Sequence, residues 1–278
     1  MSRQTQPFFI VSSGRSGTAM LHKVLSGIDG VEMHHEYAVQ IIQPLAVRRY
    51  LGLADTAETS RVLDETYGAA LRYSEQHCWG DSSNKLSWLI PDLAALFPDA
   101  RFVHLVRDGR KVTGSYFRKL GAECYDDRSN AILQAFYDGP ANTPAPPPEK
   151  KYWWPVPRKD AADAQAFRLF DQFERIAWHW VEINRVILDA LSKLPEHRKV
   201  FVRLEDLRSS PDTLKELLHF LNLGYRDAHF AMFQRPHNVN RPQDTLLSPR
   251  ERDAFDRIAG TMMTRLGYAE RGEYVVNY

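Results

Sequence analysis

The chain has 278 residues, a formal net charge of +1 and 44% hydrophobic residues. That is enough apolar material for one sizeable α/β domain over residues 1–278, and the balanced charge gives no basic excess to suggest a nucleic-acid partner. Two cysteines, Cys78 and Cys124, cannot build a disulfide framework and fit a reducing compartment. The N-terminus, MSRQTQP, lacks an apolar leader core, no run approaches the length of a membrane span, and no His/Cys/Asp spacing marks a metal site.

Phe8, Phe9, Ile10 and Val11 form an apolar run suited to a strand buried on both faces of a parallel sheet. Ser12-Ser13-Gly14-Arg15-Ser16-Gly17-Thr18 follows at once, and Met20, Leu21, Val24 and Leu25 then recur at helical spacing. Strand, glycine turn and helix start together present free backbone N–H groups and a positive dipole end to an anion. Gly14 and Gly17 let the backbone approach its oxygens closely. A nucleoside-triphosphatase loop ends in Gly-Lys-Ser/Thr, whereas here Gly17 is followed by Thr18-Ala19 and the cation, Arg15, precedes it. The segment fits ATP and magnesium poorly. It resembles the 5′-phosphosulfate loop of sulfotransferases that use 3′-phosphoadenylyl sulfate (PAPS). That resemblance implies Gly14, Arg15, Ser16, Gly17, Thr18 and Ala19 as cofactor-binding residues.

Gly30 to His34 reads as a second short strand, with His35 and Glu36 at its C-terminal end, the edge that faces the ligand crevice in a parallel sheet. A carboxylate or imidazole there suits a general base. In sulfotransferases of the Golgi and bacterial type, a Glu after the second strand deprotonates the acceptor. Glu36 matches that place best, and His35 competes with it. Without the resemblance these are surface histidines and a solvated Glu.

Residues 38–77 are helical in pattern and either pack on the sheet or line an acceptor pocket. Trp79-Gly80-Asp81-Ser82-Ser83-Asn84 reads as a third strand entering a polar turn. The resemblance offers Ser82, Ser83 and Lys85 as contacts near the active site. The residues themselves favour a helix cap at Asn84 or Ser87 before Trp88, Leu89 and Ile90.

Phe102, Val103, Leu105 and Val106 predict another buried strand, followed by the turn Arg107-Asp108-Gly109-Arg110 and a helix from about Lys111. Arg107 leaves the strand at its C-terminal edge and Ser115 lies early in the helix, so an Arg fork and a hydroxyl can meet one phosphate. This pair resembles the 3′-phosphate site of PAPS enzymes, with matching spacing.

From Gly121 to Ala164 regular patterning fails. The stretch 139–158 is proline-rich and carries Tyr152, Trp153 and Trp154, which suggests a lid or substrate loop. The tryptophans either stack on a sugar or aromatic acceptor or staple the loop to the body. Ala166 to Leu194 predicts one long amphipathic helix. Val200 to Leu204 is a last strand, and further helices follow Ser210 and Pro249. Arg241 or His237 offers further charge for the 3′-phosphate. Leu204 and Met20 stand where hormone-sulfating cytosolic enzymes place an adenine-contacting Tyr and Trp, and their C-terminal phosphate segment is absent. The resemblance is therefore to the broad bacterial and Golgi-type branch.

The expected fold is α/β: a P-loop nucleotide-kinase-like three-layer sandwich with a mostly parallel sheet of about five strands. The expected activity is transfer of a sulfuryl group from PAPS to a hydroxyl or amine of a small-molecule, carbohydrate or lipid acceptor. Adenosine 3′,5′-bisphosphate (PAP) is the product, with no metal and no membrane span. Golgi members carry a membrane anchor, so its lack here implies a cytoplasmic enzyme. An ATP-dependent small-molecule kinase with a degenerate loop, or a non-catalytic nucleotide-binding protein, stays open.

Overall fold

A computed structural model describes residues 5–234 and 246–272. Five strands form one sheet: β1 Gln6–Val11, β2 Val31–His35, β3 Cys78–Ser82, β4 Arg101–Val106 and β5 Lys199–Arg203. The order is β2-β3-β1-β4-β5 and every pairing is parallel. The chain builds β2 and β3 on one side of β1, then crosses to add β4 and β5 on the other. Order reversal at β1 opens a crevice beyond the carboxyl ends of β1, β3 and β4, where ligands of open α/β sheets bind.

The helices before β4 are α1 Thr18–Leu25, α2 Val39–Tyr50, α3 Thr56–Leu63, α4 Ala69–Tyr73 and α5 Ile90–Leu96. After it come α6 Gly109–Leu120, α7 Asp127–Asp138, α8 Ala164–Phe167, α9 Gln172–Ser192, α10 Leu204–Ser209, α11 Pro211–Phe220, α12 Asp227–Gln234 and α13 Pro249–Arg265. Residues alternate faces along β1. Phe8 and Ile10 pack with Leu21 and Val24 of α1 and with Leu214, Leu217 and Leu218 of α11. Phe9 and Val11 pack on the opposite face with Ile42, Trp79, Leu93, Ile183 and Ile187. Both faces of the sheet are thus covered by helices, which is why the strands read as continuous apolar runs. No described helix is long and apolar enough to cross a membrane.

A third apolar cluster lies beyond the C-terminal edge of the sheet. It joins Val112 and Tyr116 of α6, Ile176 and Trp180 of α9, Phe255 of α13, and Trp153 and Trp154 of the proline-rich stretch. Two segments differ from their sequence pattern. Asp127–Asp138 is helical, started by Asp126, whose side chain accepts from the Ser129 N–H. This helix buries only Ser129, Leu133 and Tyr137, too few apolar positions to stand out as a periodic stripe. The predicted helix from Ala166 to Leu194 is broken at residues 168–171, because Asp171 and Glu174 form a reciprocal capping box that starts α9 afresh.

Phe9 is fully buried and its ring meets those of Tyr67, Phe97 and Phe102. Phe9→Ala is expected to lower unfolding free energy by about 3–5 kcal/mol, read from the urea midpoint by far-UV circular dichroism.

Candidate functional site

The turn between β1 and α1 is shaped by three departures from ordinary backbone. Gly14, Arg15 and Gly17 have φ of 77°, 52° and 90°. At Gly14 a Cβ would lie 1.9 Å from the Tyr116 Oη, so only glycine fits beneath that ring. No side chain caps α1, so its first N–H groups are left for an external acceptor. Main-chain support comes partly from within the turn, where the Gly14 N–H donates to Ser12 Oγ and Ser16 Oγ donates to the Gly14 carbonyl (both 3.0 Å), and partly from distant residues. Ser12 N–H donates to Ser87 Oγ (3.2 Å), and that hydroxyl donates to the Ser12 carbonyl (3.0 Å). Ser87 is therefore a splint on this turn and not the helix cap its position suggested. Tyr116 Oη donates to the Ser13 carbonyl at 3.1 Å.

Arg15 here meets Arg107 and Ser115, which lie 92 and 100 residues further along the chain. Arg15 Nε donates to Ser115 Oγ at 3.0 Å, and Arg107 Nη1 donates to the Arg15 carbonyl at 2.9 Å. Among the described residues neither guanidinium forms an ion pair with a carboxylate. Burial draws Arg107 below its usual pKa; Glu205 opposes that through space, while Arg15 adds to it. Two neighbouring cations, a hydroxyl and an uncapped helix start make a site for a polyanion. Asp108 caps α6 through the Arg110 N–H, and its own N–H donates to buried Glu205, which also accepts from Tyr268 Oη at 2.8 Å. These bonds hold the β4–α6 turn from which Arg107 projects. His237 and Arg241 lie outside the described residues.

The residues after β2 fall on two sides. His35 Nδ1 donates to the Ser82 carbonyl at 2.8 Å, and its ring lies 5.9 Å from that of His22 on α1. Glu36 turns the other way, in a left-handed conformation with φ 57°. Buried Asp81 steadies this turn by accepting the Tyr37 N–H (3.2 Å) and the Tyr67 hydroxyl (2.8 Å). One Glu36 oxygen accepts from Lys85 Nζ at 3.2 Å; the other pairs with Lys150 Nζ from the proline-rich stretch. Burial pushes the Glu36 carboxyl up, but the two ammonium groups outweigh it and hold it at about 2. Burial draws the Lys85 ammonium down from the usual lysine range, against the pull of Glu36.

Asn84 connects the two halves of the site. Its Oδ1 accepts from Lys85 Nζ at 2.6 Å, and its Nδ2 donates to Tyr116 Oη at 3.4 Å. A chain of polar contacts thus runs from Glu36 through Lys85, Asn84 and Tyr116 to Ser13. Asn84 and Lys85 face the site, and no side chain caps the turn or helix that follows them. Trp153 and Trp154 are both buried, and their indoles donate to the Pro147 and Glu123 carbonyls. They staple the proline-rich stretch to the body, and Lys85 Nζ sits 5.2 Å from the Trp154 ring centroid.

Sequence reasoning missed Tyr116, Asn84 and Lys150 as parts of this site. Tyr116 directly follows Ser115 and was reachable as its neighbour; the Lys150 partnership spans 114 residues and left no local signal. Among the described residues, no group of three His, Cys, Asp or Glu side chains is placed to hold a metal ion.

The charge arrangement predicts a pH dependence. Glu36 binds its proton less readily in the folded chain than in the unfolded one, so its stabilisation is full above about pH 4.5 and is lost as pH falls through about 2. The urea-unfolding gap between wild type and Glu36→Gln is expected to be wider at about pH 5.5 than at about pH 3.5. A gap unchanged across that range would contradict the pairing.

The sequence model described as "Sulfotransferase family" matches residues 7–142, which contain the Ser12–Thr18 loop, Glu36 and the Arg107–Ser115 pair. No curated protein matches the sequence. Among solved structures, the chain is similar in fold to the sulfotransferase domain from the curacin biosynthetic pathway, with TM-score 0.54, 17% identity and coverage of 94% of this chain and 98% of that one. It is also similar to the sulfotransferase domain of the Synechococcus PCC 7002 olefin synthase, with TM-score 0.52, 16% identity and coverage of 98% and 97%. The sulfotransferase from Alicyclobacillus acidocaldarius gives TM-score 0.52, 12% identity and coverage of 96% and 97%. The segment similar to the sulfotransferase family, just under half of the chain, carries the loop at Ser12–Thr18 and the Arg107–Ser115 pair.

Proposed function

We propose that the chain transfers a sulfuryl group from PAPS to a hydroxyl or amine of a small-molecule, carbohydrate or lipid acceptor, leaving PAP. The observation that carries this reading is the meeting of Arg15, Arg107 and Ser115 in front of the uncapped start of α1. Arg107 and Ser115 take the 3′-phosphate. Arg15 and the N–H groups of residues 16–19 take the 5′-phosphosulfate, with Gly14 and Gly17 giving the close approach.

In the proposed reaction the acceptor oxygen attacks sulfur in line. The new O–S bond forms as the S–O bond to the 5′-phosphate breaks, and that bridging oxygen leaves with the electron pair as part of PAP. The acceptor proton passes to Glu36. Arg15 and the amides of α1 stabilise the charge gathering on the phosphate, where preorganised donors act most strongly. Lys85 sits between the carboxylate and the loop and adds positive charge on the acceptor side. Geometry favours Glu36 over His35 as base, since Glu36 contacts Lys85 while His35 is engaged with Ser82. The region at about 121–164, with the proline-rich stretch in it, acts as a lid or substrate loop over a single domain. An ATP-dependent kinase reading has no Gly-Lys-Ser/Thr and gives the Arg107–Ser115 pair no task.

Calorimetric titration tests the nucleotide assignment. PAP should bind and AMP or magnesium-ATP should bind far more weakly, and Arg107→Ala should weaken PAP by roughly 10–100-fold. Equal affinity for AMP, or preference for magnesium-ATP, would overturn it. Glu36→Gln should lower sulfuryl transfer by about 10²–10⁴-fold while changing PAP affinity little.

A further inference from the structure

Glu36 presents a difficulty for its own proposed task. With an ammonium group on each oxygen, it is a poor proton acceptor at the moment when one is needed. The two lysines are not equivalent. Lys85 is buried and is also held by Asn84 Oδ1 and lies over the Trp154 ring. It cannot leave without disturbing the contacts that reach the phosphate-facing loop. The Lys150 side chain is 45% exposed. Its backbone is fixed separately: Gln43 Nε2 donates to the Lys150 carbonyl at 3.1 Å and to the Trp153 carbonyl at 2.8 Å. The Lys150 ammonium can therefore swing off Glu36 while the lid stays closed. The cost of releasing it is small if another anion takes it over.

Resting on the sulfotransferase reading above, we infer that Lys150 is a positioning residue that holds Glu36 in the free enzyme, and that the acceptor is a hydroxyl compound carrying its own anionic group. That anion draws the Lys150 ammonium away and fixes the acceptor beside the base. Glu36, left with Lys85 alone, then regains proton affinity only when an acceptor is present. Lys151, exposed next to Lys150 on the same stretch, adds a second positive charge for such an anion. Neutral acceptors offer Lys150 no exchange and leave Glu36 clamped.

The test uses the smallest hydroxy acid, glycolate, and its neutral counterpart, ethylene glycol, titrated into the PAP-bound protein and followed by saturation-transfer NMR. Glycolate should bind, and Lys150→Met should raise its Kd by roughly tenfold. Lys150→Arg should restore it. Glu36→Gln should lower the glycolate Kd, because the competing carboxylate is gone; a merely structural role for Lys150 would not produce that gain. Ethylene glycol should respond to none of these changes. The inference is overturned if glycolate fails to bind, if its Kd ignores Lys150, or if Glu36→Gln leaves the Kd unchanged or weakens binding. Failure of PAP itself to bind would instead overturn the nucleotide reading, which the calorimetry detects separately through Arg107.

Discussion

A loop that leaves amides at the start of a helix for an anion needs other bonds to hold it. Residues 12–17 combine local bonds, Gly14 N–H to Ser12 Oγ and Ser16 Oγ to the Gly14 carbonyl, with support from distant parts of the chain. Ser87 bridges the main chain of Ser12 on both its donor and acceptor sides, and Tyr116 donates down onto Ser13 across Gly14. Arg107 closes the far side by donating to the Arg15 carbonyl. Each distant support comes from a different element, and each depends on the parallel sheet to bring its element to the same edge. Removing the methyl-sized space at Gly14 would break this arrangement directly, because the Tyr116 hydroxyl already occupies it.

Three of the five described non-glycine residues with positive φ, Arg15, Glu36 and Ala38, lie in the turns after β1 and β2, in a conformation that most side chains avoid and that costs energy unless the surroundings demand it. Arg15 and Glu36 carry two of the charges on which the proposed chemistry relies. Their turns are held by contacts made after folding: Asp81 binds the Tyr37 N–H, and Ser115 and Arg107 hold the Arg15 side chain and carbonyl. The site is therefore preorganised by distant neighbours as well as by bonds within the turn.

The proline-rich stretch links packing to chemistry. Burial of Trp153 and Trp154 fixes its path, and that path brings Lys150 to Glu36 and the Trp154 ring to Lys85. Of the two roles weighed for these tryptophans, the contacts fit the staple: both rings are buried, the Trp154 indole ties the stretch to the Glu123 carbonyl, and the Trp153 indole braces it internally on Pro147. The Trp154 ring also lies over the buried Lys85 ammonium.

Much of this protein is decided locally and is legible in the residues. Apolar runs at Phe8–Val11 and Phe102–Val106 specify strands buried on both faces, since only a helix-covered parallel sheet hides such runs. Glycines at 14 and 17 beside Arg15 specify an anion-facing turn, and the spacing of Arg107 and Ser115 follows from one strand end and two turns of helix. Other features depend on contacts that local sequence does not contain. Whether Glu36 or His35 faces the crevice is set by a left-handed turn anchored on Asp81, a partner 44 residues beyond Tyr37. Asn84 and Ser87 could have capped a helix, but the closeness of β1, β3 and α6 gives their side chains stronger tasks at the loop. The Lys150–Glu36 pair joins the proline-rich stretch to the turn after β2 across 114 residues. Periodicity and spacing report on neighbours along the chain, whereas such pairings exist only once the sheet order has placed distant elements side by side.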